Sequence, residues 1–186
     1  EGRWTTEDFP LTHSVSGKKA GIVGLGNIGQ VIAKRLSGFD CEIRYHNRSE
    51  KQGVPYRYEP SLKALAQWSD FLIIICIGGP STHHLINDEI MSALGPKGLL
   101  INVSRGTVID EVAMIKALQE GRLGAAALDV FENEPYVPEA LLKMDNVVLM
   151  PHVGSATVET RARMSQRVID NLDGFFHDGK MLSRVV

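Results

Sequence analysis

Short apolar runs alternate with amphipathic segments along most of the 186-residue chain. Each run has the length of a buried strand, and they are KAGIVG (19–24), CEIRY (41–45), DFLIIICI (70–77), GLLINV (98–103), AAALDV (125–130) and NVVLM (146–150). Several are apolar throughout, which is typical of parallel strands covered on both faces. The pattern therefore predicts an α/β fold with a doubly wound parallel sheet.

The segments between these runs have helical patterns. They are NIGQVIAKRLSGF, PSLKALAQWS, NDEIMSALG and DEVAMIKALQEG. Asn87 and Asp110 are typical first residues of helices, and Gly95 and Gly121 are typical of helix ends. One long helix is predicted over 154–177, followed by a strand-like tail, GKMLSRVV. We thus expect an α/β domain over 1–153 and a C-terminal helix with its tail over 154–186.

Composition limits the classes of function. The chain has 44% hydrophobic and 23% charged residues, as ordinary soluble domains do, and its net charge of −2 gives no electrostatic basis for binding nucleic acid or an anionic membrane. No apolar run approaches the roughly 18 residues that a membrane span needs. Cys41 and Cys76 both lie in apolar runs, which predicts buried, reduced thiols in a cytoplasmic protein.

A glycine-rich turn lies between the first predicted strand and the first predicted helix. Gly24, Gly26 and Gly29 form the pattern G-x-G-x-x-G, which permits a tight turn, a close approach of pyrophosphate to the backbone, and close packing of helix and strand. The helix N-terminus offers unpaired N–H groups to the phosphates. The predicted phosphate-binding residues are Gly24, Leu25, Gly26, Asn27, Ile28 and Gly29.

The end of the second predicted strand indicates which dinucleotide is bound. An acidic residue normally stands about 20 positions after the glycine turn, where it holds the ribose hydroxyls of NAD. Asn47, Arg48 and Ser49 occupy that place. Arginine pairs with a 2′-phosphate through its fork of donors, and Lys51 adds positive potential. We expect NADP(H) to be preferred, with NAD(H) possible; the alternative is that Arg48 is only a solvated turn residue.

Four ordered motifs, GIVGLGNIG, INVSRGTVIDE, AALDVFENEP and PHVGSAT, closely resemble the cofactor domain of the D-isomer-specific 2-hydroxyacid dehydrogenases. With Asn-Arg-Ser in the ribose loop, the chain is most similar to the NADPH-dependent glyoxylate/hydroxypyruvate and hydroxyphenylpyruvate reductases of that family. The resemblance implies a Rossmann-type domain of an oxidoreductase that transfers hydride from NADPH to a small 2-keto acid and forms the D-2-hydroxy acid.

The resemblance also implies catalytic residues. Arg105 matches the arginine that binds the substrate carboxylate and carbonyl, His152 matches the proton donor, and Glu134 matches its carboxylate partner. Such a partner fixes the histidine tautomer and favours the imidazolium. From the residues alone, Arg105 could equally cap a strand end or pair with an acid, and a lone histidine after a strand is more often structural. Glu132 is the competing carboxylate, which we interpret as a loop residue.

Further cofactor contacts follow from the same resemblance. Asp129 matches the residue that contacts the nicotinamide carboxamide. The other implied contacts are Ile77, Thr82, Val103, Ser104 and Gly154. The chain departs from the family pattern at IGGPST, where Gly78 and Gly79 replace bulkier residues. From this loop we therefore expect the adenosine half to be contacted by backbone donors near Ile77.

The family has two domains, and the substrate domain that precedes the cofactor domain has no counterpart in this sequence. We therefore expect this chain to be the cofactor-binding part of a longer enzyme, weakly active or inactive by itself and dimeric as the family usually is. Three alternatives remain: a dehydrogenase for another D-2-hydroxy acid; a formate dehydrogenase, against which Glu134 argues because those enzymes carry glutamine there; and a non-catalytic, NAD(P)-sensing scaffold of the co-repressor branch.

Overall fold

The computed structural model describes residues 12–183. These residues belong to two compact units, the first ending at Leu149 and the second beginning at Met150. Residues 1–11 and 184–186 lie outside the described part of the chain.

The first unit is built on a seven-stranded parallel sheet with the strand order β3-β2-β1-β4-β5-β6-β7. The strands are β1 (Lys19–Val23), β2 (Glu42–His46), β3 (Arg57–Tyr58), β4 (Phe71–Ile74), β5 (Leu99–Asn102), β6 (Ala125–Leu128) and β7 (Val147–Leu149). Six of them match the predicted apolar runs, and the predicted doubly wound sheet is confirmed. The sequence missed β3, because two residues paired only with β2 are too short to form a pattern.

The four predicted helical segments of this unit are confirmed as α1 (Asn27–Ser37), α2 (Leu62–Trp68), α3 (Asp88–Leu94) and α4 (Glu111–Gln119). Asn87 caps α3 by accepting a hydrogen bond from Ile90 N–H at 3.2 Å, and Asp110 caps α4 by accepting one from Ala113 N–H at 3.0 Å. A short helix, α5 (Glu139–Leu142), and two 3₁₀ turns, Pro80–Thr82 and Gly106–Val108, were not predicted.

The core of the unit lies on both faces of the sheet, as a doubly wound fold requires. One cluster contains the buried side chains that pack with α2, α3 and α4, among them Leu72 and Ile74 of β4. The other cluster contains Ile73, whose side chain points to the opposite face because side chains alternate along a strand. This second cluster packs with α1. This explains the continuous apolar run in the sequence: β4 has no solvent-facing side.

The second unit contains one long helix, α6 (Val158–Asp178), which Thr157 caps by accepting a hydrogen bond from Thr160 N–H at 3.1 Å. No side chain of α6 is buried, although many are apolar. The prediction of a strand in the tail is wrong for Gly179–Ser183, because these residues form a turn. Lys180 N–H donates to the Gly174 carbonyl at 3.1 Å, so the chain folds back on α6 instead of extending.

No helix within residues 12–183 is long and apolar enough to cross a membrane.

Candidate functional site

A cavity of about 540 Å³ opens at the carboxyl ends of β1, β2 and β4. The strand order reverses between β1 and β4, and doubly wound folds bind their ligands at this switch point. Eight of the residues that were predicted to bind a cofactor line the cavity. They are Gly24, Leu25, Gly26, Asn47, Arg48, Ser49, Ile77 and Thr82.

Glycine is present at the three positions of the turn for different structural reasons. Gly24 has a φ of 106°, and a side chain there would come within 2.6 Å of the Cys76 backbone. A side chain at Gly29 would collide with the Gly24 carbonyl oxygen. Gly26 differs, because a Cβ there would meet no described atom within 4 Å. The protein itself does not require glycine at this position, so the free space fits a bound group that approaches the backbone.

The N-terminus of α1 also has the features of an anion-binding site. Side chains cap the N-termini of α2, α3, α4 and α6, whereas α1, which begins after Gly26, and the four-residue α5 have no side-chain cap. The first N–H groups of a helix carry partial positive charge and need acceptors. Because Gly26 lines the cavity, the oxygens of a phosphate are acceptors of the right kind for these groups.

The loop after β2 is fixed to the glycine turn and to its neighbouring strands. Asn47 Oδ1 accepts a hydrogen bond from Leu25 N–H at 2.8 Å, and the Asn47 carbonyl accepts one from the Tyr58 hydroxyl at 3.1 Å. At the other end of the loop, Lys51 N–H donates to the buried Tyr45 hydroxyl at 2.9 Å. Hydrogen bonds at both ends therefore hold the backbone that carries Arg48 and Ser49.

Arg48 and Ser49 are exposed at the wall of this cavity. Among the ion pairs found within residues 12–183, none involves Arg48, so its guanidinium can pair with an anionic ligand. Lys51 lines the same wall, and so does Glu50, which offsets part of the positive charge. The arrangement suits a phosphate group more than a bare ribose.

The other predicted cofactor residues lie outside the cavity lining. Asn27, Ile28 and Gly29 form the first turn of α1, while Val103 and Ser104 follow β5. Asp129 follows β6 and is buried, and Gly154 belongs to the second unit. The sequence missed further lining residues, namely Ile75, Cys76, Gly78, Ser81 and Leu85. Their position directly after β4 was the available signal.

Cys76 lies in the cavity wall and is only half-buried, so the prediction of two buried thiols holds for Cys41 but is wrong for Cys76. The difference arises because β4 ends at Ile74, before the apolar run does. Burial raises the pKa of the Cys76 thiol, which favours the less nucleophilic protonated form at neutral pH.

We expect Cys76 to be alkylated by iodoacetamide more slowly than a free cysteine at pH 7.5, with the rate increasing only as pH rises above the ordinary thiol pKa. Saturating NADPH should slow the reaction at least threefold further, because Cys76 lines the cavity. Peptide mass spectrometry over a time course measures both effects at Cys76 and at Cys41. Equal rates with and without NADPH would show that the dinucleotide does not occupy this cavity.

The loop between β5 and α4 presents Arg105. Asn102, which the sequence analysis did not single out, holds this loop: its Oδ1 accepts a hydrogen bond from Ser104 N–H at 3.0 Å, and its Nδ2 donates to the Arg105 carbonyl at 3.0 Å. Arg105 is exposed, and its side chain packs against Gly78, where a Cβ would come within 2.6 Å of Arg105 Cγ. Gly78, one of the two glycines at which the chain departs from the family pattern, thus makes room for Arg105.

The loop after β6 carries both candidate carboxylates. Gly106 packs directly on the backbone of Phe131 and Glu132, with no space for a side chain, which brings this loop beside the one that carries Arg105. Glu134 accepts a hydrogen bond from Phe131 N–H at 3.1 Å, whereas Glu132 pairs with His84 Nε2 at 3.0 Å. The two carboxylates therefore have different surroundings, and Glu132 is more than a solvated loop residue.

His152 belongs to the second unit, where it is exposed and has a φ of 53°. A left-handed backbone is uncommon outside glycine, although histidine adopts it more often than most residues. This conformation is compatible with the predicted role of His152.

Residues 1–154 match the model of a family described as "D-isomer specific 2-hydroxyacid dehydrogenase, NAD binding domain". The chain is 51% identical over 185 residues to the glyoxylate/hydroxypyruvate reductase A HPR2 of Arabidopsis thaliana, with coverage of 100% of this chain and 59% of that protein. A hydroxyphenylpyruvate reductase of Plectranthus scutellarioides is also 51% identical, with the same coverage. These matches confirm the resemblance found in the motifs.

Solved structures give the same result. The chain superposes with a TM-score of 0.94 and 50% identity on the NADPH-dependent glyoxylate/hydroxypyruvate reductase of Sinorhizobium meliloti in complex with NADP and malonate. That match covers 100% of this chain and 59% of the reductase. The chain thus spans somewhat under two thirds of the length of these relatives.

Proposed function

This chain belongs to the D-isomer specific 2-hydroxyacid dehydrogenase family, of which it is the NAD-binding domain, and we propose that it serves an NADPH-dependent reductase of small 2-keto acids. Glyoxylate and hydroxypyruvate are the substrates that we favour, because relatives that are 51% and 50% identical to this chain over the aligned residues are reductases of these acids. The product is the D-2-hydroxy acid.

The observation that carries the proposal is the pairing of two features in one cavity. Gly26 and the uncapped N-terminus of α1 provide room and N–H donors for a pyrophosphate, and Arg48 with Ser49 stands where an NAD-specific domain has an acid. An arginine that forms no ion pair among the described residues favours the extra phosphate of NADP.

The nicotinamide of the bound cofactor supplies the hydride. Within the chain, we assign Arg105 to grip the substrate carboxylate, because a planar guanidinium binds a carboxylate through two parallel hydrogen bonds and fixes its orientation. His152 donates the proton to the carbonyl oxygen, and Glu134 is its carboxylate partner. These roles rest on the motifs SRG, ENEP and PHVG together with the family.

The remaining cofactor assignments are proposed on the same basis. Ile77 and Thr82 line the cavity, and the Thr82 hydroxyl donates to the Ile77 carbonyl at 2.8 Å, which closes the loop after β4. Val103, Ser104, Asp129 and Gly154 are assigned toward the nicotinamide half.

We also assign a domain role to α6. Apolar side chains such as Val168, Leu172 and Phe176 are 60%, 52% and 78% exposed. A helix that leaves so much apolar surface in water is normally covered by another element. We propose that α6 and the tail return to a substrate domain, with residues 1–153 forming the cofactor domain, as in the longer relatives.

The experiment that tests the function is a steady-state assay of the complete enzyme that contains this chain. Glyoxylate, hydroxypyruvate and pyruvate are compared as substrates, each with NADPH and with NADH. We expect NADPH oxidation with the first two at the highest kcat/KM. Tight NADPH binding without turnover of any 2-keto acid would instead favour the non-catalytic, NAD(P)-sensing alternative.

Replacing Arg48 by alanine should weaken NADPH binding at least tenfold and leave NADH binding within about twofold, because only NADPH carries the 2′-phosphate. Fluorescence titration of the purified chain measures both dissociation constants. Arg57→Ala is the matched control, since Arg57 is an exposed arginine of β3 outside the cavity lining. A parallel loss of affinity for both cofactors would contradict the assignment.

Two broader expectations remain proposals. We propose a homodimer, which light scattering of the purified chain tests at micromolar concentrations, and a cytoplasmic location, which fractionation of the source cells tests.

A further inference from the structure

A cluster of metal-ligating side chains contains none of the residues assigned to the cofactor or the substrate, although it lies next to them in the sequence. His83 and His84 follow the 3₁₀ turn after β4, and Glu132 lies in the loop after β6. One potential ligand atom from each of the three lies within 4.8 Å of the other two. We propose that His83, His84 and Glu132 bind a divalent transition-metal ion of the zinc type.

The backbone positions of two of these ligands are fixed by the fold. His84 N–H donates to the Thr107 carbonyl at 2.9 Å, and Ile86 N–H donates to the Val108 carbonyl at 3.0 Å, which joins this segment to the turn before α4. Glu132 N–H donates at 3.3 Å to Glu111, a buried carboxylate. Ligands held in this way lose little freedom when an ion binds, which favours affinity.

The side chains are already close to the arrangement that an ion needs. His84 Nε2 and Glu132 Oε1 are 3.0 Å apart, and ligand atoms around a tetrahedral zinc ion are roughly 3.3–3.6 Å apart, given its bond lengths of about 2.0–2.2 Å. The rings of His83 and His84 stack with their centroids 3.9 Å apart. His83 is exposed, so a rotation of its side chain can bring its nitrogen to the same ion.

Backbone conformation provides a second, independent observation. His84 has a φ of 49°, in the left-handed region that residues with a side chain rarely adopt. Such a conformation is most often retained where it places a side chain for a purpose. Here it accompanies a side chain whose two ring nitrogens face carboxylates, Glu132 at 3.0 Å and Asp110 at 4.0 Å.

The ligand set determines the class of ion. Two imidazoles and one carboxylate suit zinc, nickel or copper, whereas calcium and magnesium prefer oxygen ligands alone. Three protein ligands leave at least one coordination position for water. The ion would join the loop after β4, which borders the cofactor cavity, to the loop that carries Glu134.

Isothermal titration of the tag-free chain with ZnCl₂, in a buffer that does not chelate, tests the site without any assay of activity. We expect one strong site with micromolar or lower Kd, and titration with CoCl₂ should give the visible absorption of tetrahedral cobalt. His83→Ala and Glu132→Gln should each weaken zinc binding at least tenfold. His84→Asn removes the imidazole but retains a residue that tolerates the left-handed backbone, and it should do the same.

The control is His177→Ala, which removes an exposed histidine of α6 outside the cluster and should leave Kd within twofold. Circular dichroism of each variant establishes that a lost site does not reflect a lost fold. A Kd for zinc above the micromolar range, or an equal loss of zinc affinity in His177→Ala and His83→Ala, would overturn the proposal.

Discussion

Replacement of His152 by asparagine is expected to lower the kcat of the complete enzyme for glyoxylate reduction by about 10²–10⁴-fold, the usual contribution of a general acid. Without an imidazole, no group of the proposed set can donate a proton to the carbonyl oxygen as hydride arrives. Asparagine is the suitable replacement, because it tolerates the left-handed backbone that His152 adopts, with a φ of 53°. A loss of activity then reflects chemistry and not backbone strain.

The measurement is steady-state kinetics with NADPH, accompanied by fluorescence titration of NADPH. We expect kcat to fall while the Kd for NADPH stays within about twofold, since His152 is assigned to the substrate carbonyl and does not line the cofactor cavity described here. His177→Asn is the control for removal of an exposed histidine from the second unit. A kcat within threefold of the unsubstituted enzyme would exclude His152 as the proton donor.

Replacement of Gly26 by valine is expected to weaken NADPH binding at least 100-fold without lowering the melting temperature by more than a few degrees. Gly26 has φ and ψ of −76° and −158°, an extended backbone with negative φ that does not require glycine, and a Cβ there meets no described atom within 4 Å. The added methyl groups would instead fill the space in which the pyrophosphate must approach the backbone.

The matched control is Gly29→Val in the same turn. Its side chain would collide with the Gly24 carbonyl, so this variant should lose about 1–3 kcal/mol or more of folding free energy, as overpacked sites do. Thermal denaturation and NADPH titration of both variants separate the two effects. If Gly26→Val bound NADPH as tightly as the unsubstituted chain, the phosphate-binding role of this turn would be wrong.

The sequence predicted the parts of the fold that short stretches of chain specify. Apolar runs indicated six of the seven strands, and cap residues such as Asn87 and Asp110 indicated helix starts, because both signals are local. The two-residue strand β3 and the turn at Gly179–Ser183 were not predicted. Both depend on partners elsewhere, β2 in one case and α6 in the other.

The candidate site shows the same division. The glycine turn and the ribose loop were predicted from contiguous motifs, and both line the cavity. The link between Asn47 and Leu25, the space that Gly78 leaves for Arg105, and the pair His84–Glu132 were not predicted. Each joins residues that only the folded chain brings together; His84 and Glu132 are 48 positions apart. The sequence motifs therefore predicted a dinucleotide as the class of ligand, and the structure showed the contacts that fix the loops of the candidate site.

The central claim is that this domain binds NADP(H) in preference to NAD(H), and direct titration of the purified 186-residue chain tests it most directly. Nicotinamide fluorescence gives the Kd for NADPH and for NADH under the same conditions. We predict that NADPH binds at least tenfold more tightly, a difference of about 1.4 kcal/mol or more. Equal affinities, or tighter binding of NADH, would contradict the assignment of Arg48 and Ser49 to the 2′-phosphate.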